Sequence, residues 1–149
     1  MKTTFVVLVL AVAILVGLSA AGASPASDRE AVRQAALDYV DGIYDVKPEL
    51  IQRSVHTSLV KRGLYRKDPS APYVEMPMTY EQLVNLASTW NKNGTRDRSI
   101  KKVDVLEVLD QTAVAKVTAS WGIDYMFLAK YDGAWKISQI LWQSHPPKE

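Results

Sequence analysis

The C-terminal part of the chain alternates apolar and polar residues, and this pattern constrains the fold more than any other feature. Residues 124–142, DYMFLAKYDGAWKISQILW, form two alternating runs joined by Asp132-Gly133. Asp-Gly between such runs is a strong signal for a hairpin with a type I′ turn. Further strands are predicted from about 100 to 109 and over 112–122. The C-terminal part therefore predicts a run of antiparallel strands.

Three helices are predicted before these strands. Residues 29–44 place apolar side chains at three- and four-residue intervals, which is typical of an amphipathic helix. A short second helix is predicted within 45–56. Residues 78–94 open with a capping box, in which Gln82 follows Thr79 by three positions, and they close on a glycine. Helices followed by antiparallel strands predict an α+β domain, with the helices packed on one face of a curved sheet.

The segment 58–78 is harder to interpret, because it contains three prolines and a glycine. Its first part is predicted to be a short strand or an irregular lid, and its proline-rich part is predicted to be loop. The one basic cluster of the chain, Lys61-Arg62 with Arg66-Lys67, lies here. A solvated loop is the favoured interpretation of that cluster.

Residues 1–23, MKTTFVVLVLAVAILVGLSAAGA, have the three parts of a secretory signal peptide. Lys2 is the only charge, an apolar run of 14 residues extends from Phe5 to Leu18, and small residues follow. Cleavage is expected after Ala23. The apolar run is shorter than the ~20 residues of a spanning helix, so an uncleaved anchor is the second interpretation. We expect an exported protein, periplasmic or extracellular, without stable membrane insertion after cleavage.

The predicted organisation comprises a signal peptide over 1–23, a flexible polar leader over 24–28, one domain over 29–143 and a polar tail over 144–149. About 126 of the 149 residues remain after cleavage. A chain of that size can bury a core without disulfides or metal. The chain has no cysteine, which excludes disulfides, thiol catalysis and thiolate metal sites.

The charge balance argues against nucleic acid as a partner. The 18 basic residues, less Lys2, leave 17 against 16 acidic ones, a formal net charge of +1. Binding to phosphate backbones depends on a basic patch or stripe. No metal is expected either, because His56 and His145 are far apart in sequence and no calcium-loop spacing occurs. No cofactor is expected, since the chain lacks the glycine-rich nucleotide motifs.

These segments together resemble the nuclear transport factor two-like superfamily and, within it, the family labelled putative lumazine-binding. The resemblance covers about residues 28–143 and rests on HTSLVKRGLYR, the capped helix ending at Trp90 and the terminal DGAWKISQILW hairpin, with most of it carried by residues 54–66 and 124–142. It implies a cone-shaped fold, in which a strongly curved antiparallel sheet packs on N-terminal helices and leaves a cavity. The family is mostly bacterial. The superfamily includes isomerases, dehydratases, cyclases, transport adaptors and ligand binders, so the resemblance implies no single activity.

Aromatic residues would line the cavity that this fold implies. Pockets for small molecules are mostly apolar, with a few convergent polar groups. The residues predicted to contact a ligand are Tyr39, Tyr65, Trp90, Trp121, Tyr125, Phe127, Ser138 and Trp142. For any single aromatic residue, packing in the core is the favoured alternative.

His56 and Asp124 are the two residues that could carry catalytic proton transfer. His56 lies where members of the resembled family carry a similar histidine, and an imidazole can exchange a proton near neutral pH. Asp124 lies in an otherwise apolar strand, and related folds use a strand carboxylate or a His–Asp pair for catalysis. The structural alternatives are a His56 that caps the second helix and an Asp124 exposed at the start of its strand.

Three functions remain open at this point. An exported protein that binds a small hydrophobic or aromatic molecule is favoured over an enzyme, because no complete catalytic set is visible. The second is a cofactor-free lyase or isomerase of the polyketide cyclase or dehydratase type, which requires His56 and Asp124 to meet in one cavity. The third is a dimeric interaction adaptor. Both faces of the 124–142 hairpin carry large apolar residues, which predicts a second contact surface, and the resemblance implies a homodimer through this sheet face, since members of the superfamily often pair in that way.

Overall fold

The computed structural model describes residues 24–147, and the predicted signal peptide lies outside the described residues. The helices of the described part are α1 (Pro25–Tyr44), α2 (Pro48–Ser54) and α3 (Tyr80–Thr89). The strands are β1 (Val55–Tyr65), β2 (Val74–Met78), β3 (Lys101–Val108), β4 (Thr112–Ala119), β5 (Gly122–Tyr131) and β6 (Ala134–Gln143). The predicted α+β class is confirmed.

The six strands form one sheet in the order β2-β1-β6-β5-β4-β3. Four of the neighbouring pairs are antiparallel, whereas β1 and β6 run parallel. The sheet is therefore mixed, not wholly antiparallel as predicted. β1 and β6 lie far apart in sequence, so no hairpin turn dictates their relative direction.

The core lies between α1 and the inner face of the sheet. α1 buries Val32, Ala36 and Tyr39 on the side that packs against β3, β4 and β6. The inward residues of β4 are small, with Ala113, Ala115 and Ala119 buried beside Val117, so the helix can approach the strand closely. Each fully buried Val, Leu or Ile side chain contributes about 1.5–3 kcal/mol.

The hairpin between β5 and β6 has the predicted turn. Asp132 and Gly133 have φ angles of 49° and 80°. A type I′ turn needs positive φ at both central residues, which is why Asp-Gly favours it. Further along β6, Phe127 pairs with Gln139 and Leu128 pairs with Ile137. Ser138 is the extra residue of a bulge, so the inward positions change from Ile137 to Ile140.

Both ends of the described chain are more ordered than predicted. Residues 24–28 are not a flexible leader, because α1 begins at Pro25 and Ser24 caps it by accepting from the Ser27 N–H at 3.3 Å. The tail also packs on the sheet. The Ser144 N–H donates to the Leu64 carbonyl at 3.1 Å, and the His145 Nε2 lies 2.7 Å from the Ala119 carbonyl oxygen.

The proline-rich segment holds a strand where a loop was predicted. β2 pairs with β1 and forms one edge of the sheet. Pro77 is tolerated in β2 because proline, which lacks an N–H, can occupy an edge strand. The same pairing makes β1 a full strand rather than a lid.

Candidate functional site

A cavity of about 460 Å³ lies between the helices and the wider part of the sheet. This volume falls in the range of about 300–1,000 Å³ typical of small-molecule sites. Five predicted ligand contacts line it: Tyr39, Tyr65, Trp90, Trp121 and Trp142. Met76 and Met78 of β2 and Leu86 of α3 add flexible apolar surface.

One wall of the cavity is a group of aromatic rings in mutual contact. Trp90, directly after α3, meets Trp121, in the turn between β4 and β5, with centroids 5.4 Å apart and planes at 84°. Tyr44 lies 5.2 Å from Trp121, and Tyr39 lies 6.3 Å from it at 75°. Such edge-to-face pairs contribute about 0.5–1.5 kcal/mol each beyond burial. Helix and sheet thus hold the wall together.

A buried polar group, which we call the Asp124 cluster, lies beside this wall and consists of Tyr39, Lys61, Trp121 and Asp124. The Asp124 side chain is fully buried. Its carboxylate accepts from the Trp121 Nε1–H at 2.7 Å and from the Tyr39 hydroxyl at 3.1 Å. The Lys61 Nζ donates to Asp124 at 3.2 Å and to the Tyr39 oxygen at 2.6 Å.

The surroundings of the Asp124 cluster shift two pKa values in opposite directions. Burial lowers the pKa of the Lys61 amine, and the attraction of Asp124 only partly offsets that effect. Burial raises the pKa of the Tyr39 hydroxyl well above its usual value, and Asp124 adds to the rise. An ammonium has three N–H donors, and two of them have partners in the cluster. One Lys61 donor is thus left for a molecule in the cavity.

Trp142 contributes a second unpaired donor to the cavity lining. Its Nε1 is buried and lacks a hydrogen-bond partner within residues 24–147. The Trp142 ring lies against Gly63, where an added Cβ would come within 2.1 Å of it. Gly63 is therefore required for this ring position. Buried donors without partners are rare in folded proteins, and this nitrogen lies on the side of the ring that packs against Gly63.

Two charges of opposite sign lie at the edge of the cavity, in the loop between α3 and β3. The Arg96 guanidinium lies over the Trp90 ring, 5.1 Å from its centroid. Asp97 accepts from the Ser99 backbone N–H at 2.8 Å, which lowers the pKa of its carboxyl group.

The family model described as "Putative lumazine-binding" matches residues 27–143. The chain belongs to this family. No curated protein matches the chain significantly.

Solved structures place this lumazine-binding family member among nuclear transport factor two-like folds. It is similar to a protein of unknown function from Silicibacter pomeroyi, with a TM-score of 0.65 and 11% identity over 83% of this chain and 100% of the other. A second, from Shewanella baltica, has a TM-score of 0.63 and 14% identity over 84% and 99%. A cystatin-like protein from Caulobacter vibrioides has a TM-score of 0.59 and 10% identity over 80% and 91%. At these identities the likeness shows the fold alone.

In this family member, His56 and Asp124 are not brought together. The His56 ring stacks on Tyr131, with centroids 3.9 Å apart, and its Nδ1 lies 2.7 Å from the Ser58 hydroxyl. Tyr131 ends β5, whereas Asp124 lies near its start, roughly seven residues or about 23 Å away at ~3.3 Å per residue. The prediction that His56 and Asp124 form a catalytic pair is therefore wrong. His56 stacks on the last residue of β5, whereas Asp124 lies near the start of that strand. His56 does not cap α2 either, since the C-cap residue is Val55.

Three other predicted ligand contacts face away from the cavity. Tyr125 and Phe127 are 44% and 48% exposed on the outer face of the sheet, because alternation along β5 turns Asp124 and Met126 inward. The Ser138 hydroxyl donates to the Phe127 carbonyl at 3.1 Å. These side chains cannot contact a molecule in the cavity.

Lys61 is the main site residue that sequence reasoning missed. It was interpreted as part of a solvated basic cluster, but its side chain is 4% exposed. Leu59, Lys61 and Gly63 alternate inward along β1, while Arg62 points outward and pairs with Glu75. The alternation in LVKRG was a usable signal once the segment was recognised as a strand.

A second depression near the start of α1 has both of its carboxylates paired with cations. The Asp28 carboxylate accepts from the Trp135 Nε1–H and from the Lys130 Nζ, both at 2.9 Å. Asp38 accepts two bonds of 2.7 Å from Arg53, which raises the pKa of that guanidinium.

Among the residues that the structure describes, no group of three or more His, Cys, Asp or Glu side chains could hold a metal ion. No helix of this described part is both long and apolar enough to cross a membrane.

Proposed function

We propose that this protein binds a small, mainly apolar molecule with an aromatic ring in the cavity bounded by Trp90, Trp121 and Trp142. The observation that carries the proposal is the aromatic wall around a cavity of about 460 Å³. If these rings served only to pack the core, neighbouring side chains would fill the space beside them, since protein interiors are close-packed. An open cavity that Lys61 lines with one remaining N–H donor is instead suited to a ligand that carries an acceptor atom.

Binding of an aromatic probe tests this proposal. Isothermal titration calorimetry with 2-naphthalenemethanol should give saturable binding to the wild type. Trp90→Ala should weaken that binding by about tenfold, or ~1.4 kcal/mol, because it removes one wall of the cavity. Phe127→Ala is the matched control, because this ring lies on the opposite face of the sheet. Absence of saturable binding, or equal weakening by both variants, would contradict the proposal.

A second role, self-association through the outer face of the sheet, is supported by a row of exposed apolar residues. Val60, Phe127 and Leu141 are 56%, 48% and 54% exposed. They lie on three adjacent strands, because Val60 and Phe127 both pair with Gln139 while Leu141 is opposite Tyr125. Gln139 separates Val60 from Phe127, whereas Tyr125, Phe127 and Leu141 are neighbours on β5 and β6, and exposed apolar surface of this kind marks interaction sites. We propose a second copy of this chain as the partner, paired about a two-fold axis.

Light scattering coupled to size-exclusion chromatography tests the dimer. The wild type should have the mass of two chains at micromolar concentration, and Leu141→Glu should shift it to one chain because a charge would be buried in the interface. Leu109→Glu is the control, since Leu109 is 55% exposed in the turn after β3. A wild type that is monomeric across the concentration range would contradict this proposal.

We further propose that the protein is exported, on the pattern of residues 1–23. Intact-mass measurement of the protein recovered from its source should give a chain that begins after Ala23, in the periplasmic or extracellular fraction. A cytoplasmic chain that retains those residues would contradict export.

A further inference from the structure

The Lys61 amine combines three features that make a lysine nucleophilic. It lies among the residues that line the cavity, its side chain is 4% exposed, and a carboxylate is 3.2 Å away to take up a proton. A nucleophilic amine must be neutral, and burial favours the neutral form by lowering its pKa. Lysines in apolar pockets commonly form Schiff bases with carbonyl compounds.

We propose that Lys61 forms a reversible imine with aromatic aldehydes or ketones that enter the cavity, with Asp124 and Tyr39 moving the protons. The inference rests on the proposed binding function and adds a reaction and a ligand class to it. It differs from the predicted His–Asp mechanism, since His56 lies at the far end of β5 and takes no part.

The proton and electron movements balance without another reactant. The Lys61 ammonium first gives a proton to Asp124, and the freed nitrogen lone pair attacks the carbonyl carbon. A nitrogen-bound proton then reaches the new oxyanion through the Tyr39 hydroxyl, which is 2.6 Å from Nζ. This step yields a neutral carbinolamine. Asp124 returns its proton to the carbinolamine hydroxyl, which leaves as water while the nitrogen lone pair forms the C=N bond.

The product preserves the electrostatic balance of the Asp124 cluster. A protonated imine carries the same single positive charge as the ammonium it replaces, and it faces the same carboxylate. Trp121 continues to donate to Asp124 at 2.7 Å. The exchange therefore replaces one buried ion pair by another and leaves no unpaired charge in the apolar interior, which would be costly.

Lys130 is an internal control for this chemistry. Its Nζ donates to Asp28 at 2.9 Å and lies 5.0 Å from the Trp135 ring centroid, so it too has an aspartate and a tryptophan as neighbours. Its side chain is 17% exposed, and it does not line the aromatic cavity. If Lys61 reacts selectively, the cause is therefore the cavity and not the pairing of a lysine with an aspartate.

The test is reductive trapping with 2-naphthaldehyde and sodium cyanoborohydride, followed by peptide mass spectrometry. Hydride reduces the imine to a stable secondary amine. Lys61 should acquire the adduct about tenfold faster than Lys130 and the surface lysines, since activation and local binding both favour it. The matched alcohol, 2-naphthalenemethanol, should compete with the labelling.

Two variants separate chemistry from folding. Lys61→Arg keeps the cation beside Asp124 and should abolish the fast labelling while the thermal unfolding transition stays cooperative. Asp124→Asn removes the proton acceptor, and its labelling rate, measured on the fraction shown to be folded by circular dichroism, should fall by about tenfold or more.

The outcomes distinguish the two proposals. Uniform labelling of all lysines, together with saturable binding of 2-naphthalenemethanol, would overturn the imine and leave the binding function in place. Fast labelling that persists at another lysine in Lys61→Arg would also overturn the assignment. Failure of both compounds to bind would instead remove the proposed function on which this inference depends.

Discussion

Two clusters with the same kinds of side chain lie at opposite ends of β5. The Asp124 cluster joins an aspartate to Lys61, Trp121 and Tyr39. The other, which we call the Asp28 cluster, joins Asp28 to Lys130 and Trp135. In each, an indole N–H and an ammonium donate to one carboxylate.

The two clusters differ in solvent access and in what adjoins them. The Asp124 and Lys61 side chains are 0% and 4% exposed, and they border the aromatic cavity. The Asp28 and Lys130 side chains are 11% and 17% exposed, at the start of α1. The ion pair of the first cluster is thus more fully shielded from bulk solvent than that of the second. We therefore expect similar hydrogen bonds in the two clusters to contribute different amounts to the free energy of unfolding. Four measurements can test this expectation.

Removal of the buried carboxylate should give the largest effect. Asp124→Asn leaves the Lys61 cation without a counter-charge, and breaking a buried pair in this way costs about 3–5 kcal/mol. Asp28→Asn should cost markedly less. Asp104→Asn, which breaks an exposed 3.0 Å pair with Lys102, should cost no more than about 1 kcal/mol. Urea unfolding at pH 7 measures all three, and equal losses for the two cluster variants would end the comparison.

The indole donors should show the next largest difference. Trp121→Phe keeps an aromatic ring against Trp90 but removes the N–H that donates to Asp124 at 2.7 Å. Loss of a hydrogen bond to a charged group costs about 1.5–3 kcal/mol. Trp135→Phe removes the corresponding bond to Asp28, a carboxylate whose side chain is 11% exposed, and should cost less. The free energies of unfolding from the same urea series decide the order.

The Asp28 cluster should lose its contribution in acid. The Trp135 hydrogen bond, followed by that from Lys130, lowers the pKa of Asp28 below its ordinary 3.8. A lowered carboxyl pKa stabilises the fold above the unfolded pKa, and the contribution disappears as pH falls through the folded pKa. The stability difference between wild type and Asp28→Asn should thus be constant above about pH 5 and shrink below pH 3.8. A difference independent of pH would contradict this cause.

The pH dependence of stability that arises from the Asp124 cluster should be the smallest of the four effects, and it should occur at alkaline pH. The Lys61 pKa is lowered from 10.5, so between the folded value and 10.5 the unfolded chain holds a proton that the folded chain lacks. Stability should therefore rise with pH in that window relative to Lys61→Met. Tyr39, whose pKa is raised above 10.0, acts oppositely at higher pH but is present in both proteins. Urea unfolding curves recorded from pH 8 to 10 give, for each protein, the slope of the unfolding free energy against pH. Equal slopes for the wild type and Lys61→Met would rule out a lowered pKa of the Lys61 amine.

Much of the fold could be predicted from local patterns. The amphipathic spacing in 29–44 and the capping box at Thr79 each depend on residues a few positions apart, and both helices form. The Asp132-Gly133 turn is equally local. β2 was missed because its proline and exposed side chains resemble a loop, and only pairing with β1 makes it a strand.

The candidate site was predicted in part. The rings of Tyr39, Trp90, Trp121 and Trp142 line the cavity, because large aromatic residues on inward positions of this fold border its open end. Lys61 was missed and His56 misplaced for one reason. The alternation in LVKRG indicates an inward Lys61 only once the segment is known to be a strand, and the environment of a charged residue depends on partners distant in sequence, 63 residues away for Lys61 and Asp124.

The sequence by itself determined the three helices, the C-terminal strands and where the final hairpin turns, because those choices depend on backbone preferences and apolar spacing over a few residues. Only the tertiary structure decided that β1 lies parallel to β6 and that Lys61 meets Asp124. Those decisions depend on which strands become neighbours. Charge pairing acts through space, and the alternation along β1 can indicate an inward Lys61 but not the residue it pairs with.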